Sequence, residues 1–466
     1  MPMNLTSNSL NSGLFLLLYL CAFTSPSKGD VIWGKSRPDF TKFDRSPVVG
    51  LHLALAGDTE VLASWMNVGR FQQETQPPIC AYGKKPDGFT AIASGEAYTY
   101  TAGEFDSTLN KVTMNLKEID FEHGDDVYYR CCNPNLGGWS PLYNFTVRSS
   151  GLKSEKTRAP KSHARPGKVQ GGKIALVADM GVVFGNRTTE SIARHLEKGV
   201  QLVVHAGDIS YADDFSLFVS NNSFVWTEYM AMVELFAARV PYMVGPGNHE
   251  VQYNFTAYRN WFHMPNNASH SESPFYYSFD YMGVHFASLS TEHDFSPGSV
   301  QHRWLENDLR KADANRAEVP WILVFGHRPL YCSDWLKWTS RCNVEAKIFR
   351  DNIEDLLHKY KVDVYLSGHN HQYERSFAVY NMTVTSRSYR NPPATIYIVN
   401  GAAGNPEPND PTFVNSTMAP WRANKAATVK YGWLLLEANA TSLDFTYLFS
   451  ENDEVFDRFS IIKDAV

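Results

Sequence analysis

Five short apolar runs in the last two thirds of this chain each end on a polar side chain able to hold a metal ion. No other feature limits the fold as much. Residues 174–178 run into Asp179, 202–206 into Gly207-Asp208, 240–244 towards Gly247-Asn248, 321–325 into Gly326-His327, and 362–366 towards Gly368-His369-Asn370-His371. Runs of this length, bounded by turn residues, read as buried strands. Open α/β sheets place their ligands at the carboxyl ends of the strands. One Asp or Asn after a strand is ordinarily a turn former or a helix cap. Five such donors, most of them flanked by Gly, are poorly explained as five independent caps. The glycines fit both readings, because they turn the chain sharply and let backbone come close to a bound group.

The donors are Asp179, Asp208, Tyr211, Asn248, His327, His369 and His371. Seven oxygen and nitrogen ligands are too many for one ion and suit two ions that share a carboxylate. Two adjacent cations are the common equipment for displacement at phosphorus. Tyr211 follows Asp208 by three residues, so a helical or tight turn brings both towards one ion. A phenolate is a hard anionic donor that favours a trivalent ion, and its charge transfer to ferric iron would colour the protein.

The arrangement resembles the purple acid phosphatases, a branch of the calcineurin-like metallophosphoesterases. The wider superfamily opens on Asp-x-His; here Asp179-Met180-Gly181 lacks the His and Tyr211 offers a donor instead, which is the mark of the purple branch. The resemblance covers the chain after its leader, with all five motifs in order. It implies a ferric ion on Asp179, Tyr211 and His371, and a divalent ion (iron, zinc or manganese) on Asn248, His327 and His369, with Asp208 between them. It further implies hydrolysis of small phosphate monoesters in acid, with a hydroxide held by the metals as nucleophile. His249 is implied to contact the substrate phosphate and assist the leaving oxygen; its alternative is a supporting contact with Glu250. Plant members carry a His pair shortly after the ligand matching His327, whereas residues 328–337 here contain none. His293 is one candidate for that place and is otherwise a structural His. Arg328 and Arg375 adjoin the ligand motifs as phosphate contacts or ion-pair anchors. Rival functions are a phosphodiesterase or nucleotide pyrophosphatase on the same site, and a non-catalytic secreted metal-binding glycoprotein.

The chain has 466 residues and a net charge of −6, which argues against nucleic acid as a partner. The apolar run 14–23 is too short to span a bilayer and has the length of a signal-peptide core, giving a leader at 1–28 and a secreted or lysosome-type destination. No other run is long and apolar enough for a membrane span. Asn-x-Ser/Thr sequons at Asn144, Asn186, Asn221, Asn254, Asn267, Asn381, Asn415 and Asn439 fit that route. Of six cysteines, Cys21 leaves with the leader, Cys332 and Cys342 are placed to close a short loop, and Cys80 has Cys131 or Cys132 as a partner. The one left over is free or links a homodimer; otherwise the protein is a monomer.

Residues 29–150 alternate apolar and polar side chains and read as an all-β sandwich resembling a fibronectin type III module. Residues 151–172 form a basic, Pro- and Gly-containing linker. From 173 to 466, strands alternate with helical stretches at 188–198, 226–239, 300–314 and 343–360, which predicts an α/β domain of two mixed sheets flanked by helices. Strands from about 392 onward complete a sheet.

Overall fold

The computed structural model describes residues 48–68, 76–102, 105–136, 138–148, 172–215, 223–410, 412–424 and 427–464. The leader, the linker up to 171 and the sequon at Asn221 lie outside the described residues.

The N-terminal domain is a sandwich of two four-stranded antiparallel sheets. One holds Val48–Gly57, Glu60–Val68, Phe105–Asn115 and Glu96–Ala102; the other holds Ala91–Ser94, Ile79–Gly83, Asp126–Cys132 and Tyr143–Thr146. Alternation explains the packing. Val61, Ala63 and Trp65 point into the sandwich core with Tyr82, Val127 and Tyr129. Val49, Ala54 and Met66 point the other way and join the core of the C-terminal domain. Strand Val48–Gly57 is buried on both faces, so its sequence is nearly unbroken apolar. Register also settles the first disulfide: Cys80 lies opposite Cys131 and bonds to it, while Cys132 is buried and free. Buried as it is, Cys132 does not offer a thiol to a second chain.

The C-terminal domain is built on two mixed sheets. The first runs Tyr242–Gly245, Val200–Ala206, Gly172–Val177, Gly432–Ala438, Ser442–Phe449, Val455–Ile462. The second runs Tyr277–Tyr281, Val284–Leu289, Trp321–Gly326, Val364–Ser367, Ile396–Asn400, Tyr373–Tyr380, Thr383–Ser386. In strand Trp321–Gly326, residues Trp321, Leu323 and Phe325 face the core between the sheets. Ile322 and Val324 face the helix Val300–Ala314 on the outside. On the far side, helices Gly185–Leu196 and Ser223–Ala237 cover the first sheet. The C-terminal strands divide between the sheets: Ile396–Asn400 pairs in parallel with Val364–Ser367, and only the last three strands extend the first sheet.

The helical stretch expected over 343–360 is interrupted. Regular turns at Ala346–Phe349 and Asp355–Lys359 are separated by a wider π-type turn, Arg350–Glu354, and preceded by another, Trp338–Glu345. The first wide turn contains Cys342, which is bonded to Cys332, and π-type widening is frequent at functional sites. Among the described residues, no helix is long and apolar enough to cross a membrane.

Candidate metal centre

All five motifs emerge at the carboxyl ends of their strands, three from the first sheet and two from the second. Backbone hydrogen bonds knit the loops together. The N–H groups of Asp179 and Gly181 donate to Gly207 and Ile209 at 3.1 and 2.9 Å, and that of Gly368 donates to His327 at 2.8 Å.

Four of the seven candidate donors sit in the left-handed backbone region. Asp179, Asp208, Tyr211 and His369 have φ of 54, 53, 56 and 67°. Such conformations are costly for residues with a Cβ and gather at functional sites. Two glycines carry the close approach. A Cβ on Gly368 would fall 2.0 Å from Oδ2 of Asp179, and one on Gly247 would fall 2.3 Å from Oδ1 of Asp208.

The donor atoms form two groups. In the first, the Tyr211 hydroxyl lies 3.0 Å from Oδ1 of Asp179 and 3.0 Å from Nε2 of His371. His371 Nε2 is 3.4 Å from the same Asp179 oxygen. In the second, His327 Nε2 lies 2.9 Å from Oδ2 of Asp208 and 3.1 Å from Oδ1 of Asn248. Ligating atoms of Asp208, His327 and His369 all lie within 4.8 Å of one another. The His369 N–H donates to Oδ2 of Asp179 at 2.9 Å, joining the groups. Asp179, Asp208, Tyr211 and His327 are buried.

Packing so many acceptors out of water is unfavourable without positive charge beside them. Burial pushes the Tyr211 phenol well above its usual range, and the charges of Asp179 and Asp208 push it the same way. Burial opposes charge on Asp208, but His327 and His249 outweigh it and hold this carboxyl below the usual range. Hard oxygen and imidazole donors with no thiolate suit iron, zinc or manganese, and the glycine cradle leaves the carboxylates room to converge. The residues present therefore fit a two-ion centre.

Comparisons with known proteins agree with this architecture. Residues 172–373 match the family model of the calcineurin-like phosphoesterases. Residues 394–458 match the iron/zinc purple acid phosphatase-like protein C model, and 48–147 match the purple acid phosphatase N-terminal domain. Acid phosphatase type 7 of Mus musculus is 34% identical over 423 residues, covering 86% of this chain and 88% of that protein. The chain belongs to the purple acid phosphatases. Purple acid phosphatase 23 of Arabidopsis thaliana is 29% identical over 397 residues, covering 78% of this chain and 80% of its own. The structure of a purple acid phosphatase from yellow lupin (Lupinus luteus) seeds superposes with a TM-score of 0.71 at 23% identity, covering 90% of this chain and 75% of the other.

Other residues of this purple acid phosphatase complete the picture. His249 does not reach for Glu250. Its Nδ1 lies 2.8 Å from Asp213 and its Nε2 lies 3.7 Å from Oδ2 of Asp208. Burial opposes its protonation, but the charges of Asp208, Asp213 and Asp214 and the hydrogen bond to Asp213 raise its pKa to about 10. Glu250 instead turns back to accept the N–H groups of Gly247, Asp208 and Ile209 at 2.7, 3.0 and 2.9 Å. The sequence signal for it is a Glu three residues after Gly247, the spacing of a capping box.

Arg328 is held by Glu292 through two hydrogen bonds of 2.8 and 3.0 Å, and by Glu345 at 2.9 Å. Arg375 is spent on Asp457 at 2.6 Å and on the hydroxyl of Tyr389. His293 bonds Ser290 at 2.7 Å and stacks on Phe275 and Phe255; no contact joins it to the seven donors. Asn254, Asn267, Asn381 and Asn415 are exposed, and Asn144, Asn186 and Asn439 are partly buried. The Thr188 hydroxyl of the Asn186 sequon is buried against the carbonyl of Ala403.

Proposed function

We propose that this chain is an acid phosphatase that hydrolyses small phosphate monoesters on a ferric–divalent centre. Asp179, Tyr211 and His371 hold the ferric ion. Asn248, His327 and His369 hold the divalent ion, and Asp208 bridges. The observation that carries this reading is the Tyr211 hydroxyl 3.0 Å from both Asp179 and His371, a buried phenol pointed at a carboxylate and an imidazole from three separate loops. When bound, such a pair of ions polarises the phosphoryl group and acidifies water, so a nucleophile exists at low pH.

The chain supplies the rest. Asp213 holds Nδ1 of His249, which leaves Nε2 on the side of Asp208. From there His249 grips a phosphate oxygen and gives its proton to the departing alkoxide. A charged imidazole also favours the dianionic substrate. The two disulfides and the four exposed sequons at Asn254, Asn267, Asn381 and Asn415 support a secretory route.

The test is a visible absorption spectrum of the purified protein beside Tyr211→Phe, with turnover measured on an aryl phosphate monoester and the matching diester. A broad band lost in the variant, with monoester preferred, is the expected result. A colourless yet metal-loaded and active wild type would remove the ferric tyrosinate from the reading. Faster turnover of the diester would move the activity to phosphodiester cleavage.

A further inference from the structure

Glu345 belongs to none of the ligand motifs, yet it touches one of their histidines. Its Oε2 lies 3.1 Å from Nε2 of His369. Nη1 of Arg328 lies 3.2 Å from the same nitrogen and 2.9 Å from the same carboxylate oxygen. Arg341, in the wide turn ahead of Glu345, donates to the backbone carbonyl of His369. That turn is tied to Cys332 through Cys342. The wide turn Trp338–Glu345, anchored by that disulfide, thus grips His369 at both its ring and its carbonyl.

A neutral imidazole has one N–H and one lone pair, and the two exchange places between tautomers. Nε2 of His369 has two neighbours that want opposite things. Donating to Glu345 puts the hydrogen on Nε2 and leaves the Nδ1 lone pair free for an ion. Accepting from Arg328 puts the hydrogen on Nδ1 and blocks it. The carboxylate decides, because it satisfies Nε2 and the guanidinium at once, while Glu292 holds the guanidinium's other nitrogens.

We propose that Glu345 is a positioning residue that fixes His369 in the tautomer able to bind the divalent ion through Nδ1. The inference rests on the metal-centre reading above. It adds that Arg328, relieved of Glu345, becomes an antagonist of metal binding. Outer partners of ligating histidines typically affect metal affinity by about 10–100-fold.

The experiment uses the full-length, metal-loaded protein and the variants Glu345→Ala, Glu345→Gln and Glu345→Ala/Arg328→Met. Retention of the divalent ion is measured by competition with a chelator, and the visible band reports the ferric side independently. Glu345→Ala is expected to weaken divalent binding about 10–100-fold with the band kept. Glu345→Gln, whose amide oxygen still accepts, falls between it and wild type. Adding Arg328→Met to Glu345→Ala recovers several-fold of the lost affinity, because the competing donor is gone. A merely structural brace predicts the reverse, with the double variant weakest, and that result overturns the proposal. Wild-type affinity in Glu345→Ala overturns it too and leaves the metal-centre reading intact. If Glu345→Ala does not fold, Glu345→Gln decides: affinity equal to wild type, or no better than after loss of His369, overturns the tautomer argument. A wild type that holds no divalent ion overturns both readings.

Discussion

Oε2 of Glu250 accepts the backbone N–H of Asp208 at 3.0 Å, although 42 residues separate them. Through the same carboxylate the second and third motif loops become one rigid piece, with Gly247 and Ile209 also bound. The spacing between Asp208 and Asn248 is thereby set before any ion arrives. Glu250→Ala orphans three buried amides, each costing about 1–3 kcal/mol. A loss of at least about 3 kcal/mol in urea unfolding of the metal-free protein is expected. A loss below about 1 kcal/mol would mean that the loops do not depend on this clamp.

Asp208 is the donor whose removal should damage the centre most. Its two oxygens face the backbone N–H of His249 at 2.9 Å and Nε2 of His327 at 2.9 Å. Asp208→Ala is expected to lower turnover by more than about 100-fold, beyond what loss of an outer partner costs. Metal analysis should show both ions depleted in a protein with unchanged far-ultraviolet circular dichroism. Full activity in that folded variant would refute the bridging role.

A pH-dependent part of the stability lies far from the motifs. His285 is buried between Asp280 at 2.6 Å and Asp308 at 2.9 Å. Burial opposes charge on the imidazole, but the hydrogen bonds and charges of both carboxylates outweigh it and raise the pKa to about 9. The folded value lies above the ordinary 6.5. The contribution is therefore complete below pH 6.5 and is lost as pH rises through about 9. Its size is on the order of 3 kcal/mol. Chemical denaturation of wild type and His285→Gln should differ most near pH 6 and converge above pH 9.5. A gap that stays constant over that range would show that the ion pair is not the source.

The convergence of the seven candidate donors was legible in the sequence because each position is local: an apolar strand, a glycine and a donor are neighbours in the chain. The supporting carboxylates were not, because their roles come from folding. Glu345 meets His369 across 24 residues, and Glu292 meets Arg328 across 36. In the sequence both are ordinary acidic residues. The partner of Cys80 was ambiguous for a similar reason, since only strand register shows that Cys131 faces it. The division of the late strands between two sheets is likewise a matter of crossover, and alternation of side chains cannot reveal it. The left-handed backbone at Tyr211 had no signal at all, as tyrosine is a poor residue for that conformation.

The sandwich and the C-terminal domain meet at a glycine where any side chain would be strained and crowded. Gly50 has φ of 67°, and a Cβ there would lie 2.7 Å from Cβ of Met230. Its N–H donates to Oε2 of Glu234 at 2.8 Å, and Oε1 of that residue accepts the Tyr143 hydroxyl at 2.9 Å. Met230 and Glu234 share the helix Ser223–Ala237, so one helical face holds a strand of each sandwich sheet. Gly50→Ala adds left-handed strain of roughly 1–2 kcal/mol and an overpacking cost of about 1–3 kcal/mol. The expected total is about 2–5 kcal/mol, read as a lower urea midpoint. The visible band expected of the proposed ferric centre and the turnover per bound metal should stay near wild type, because Gly50, Met230, Glu234 and Tyr143 are none of the seven donors. Wild-type stability in Gly50→Ala would show that the two domains pack independently. Loss of the band at unchanged stability would instead tie the sandwich directly to the metal centre.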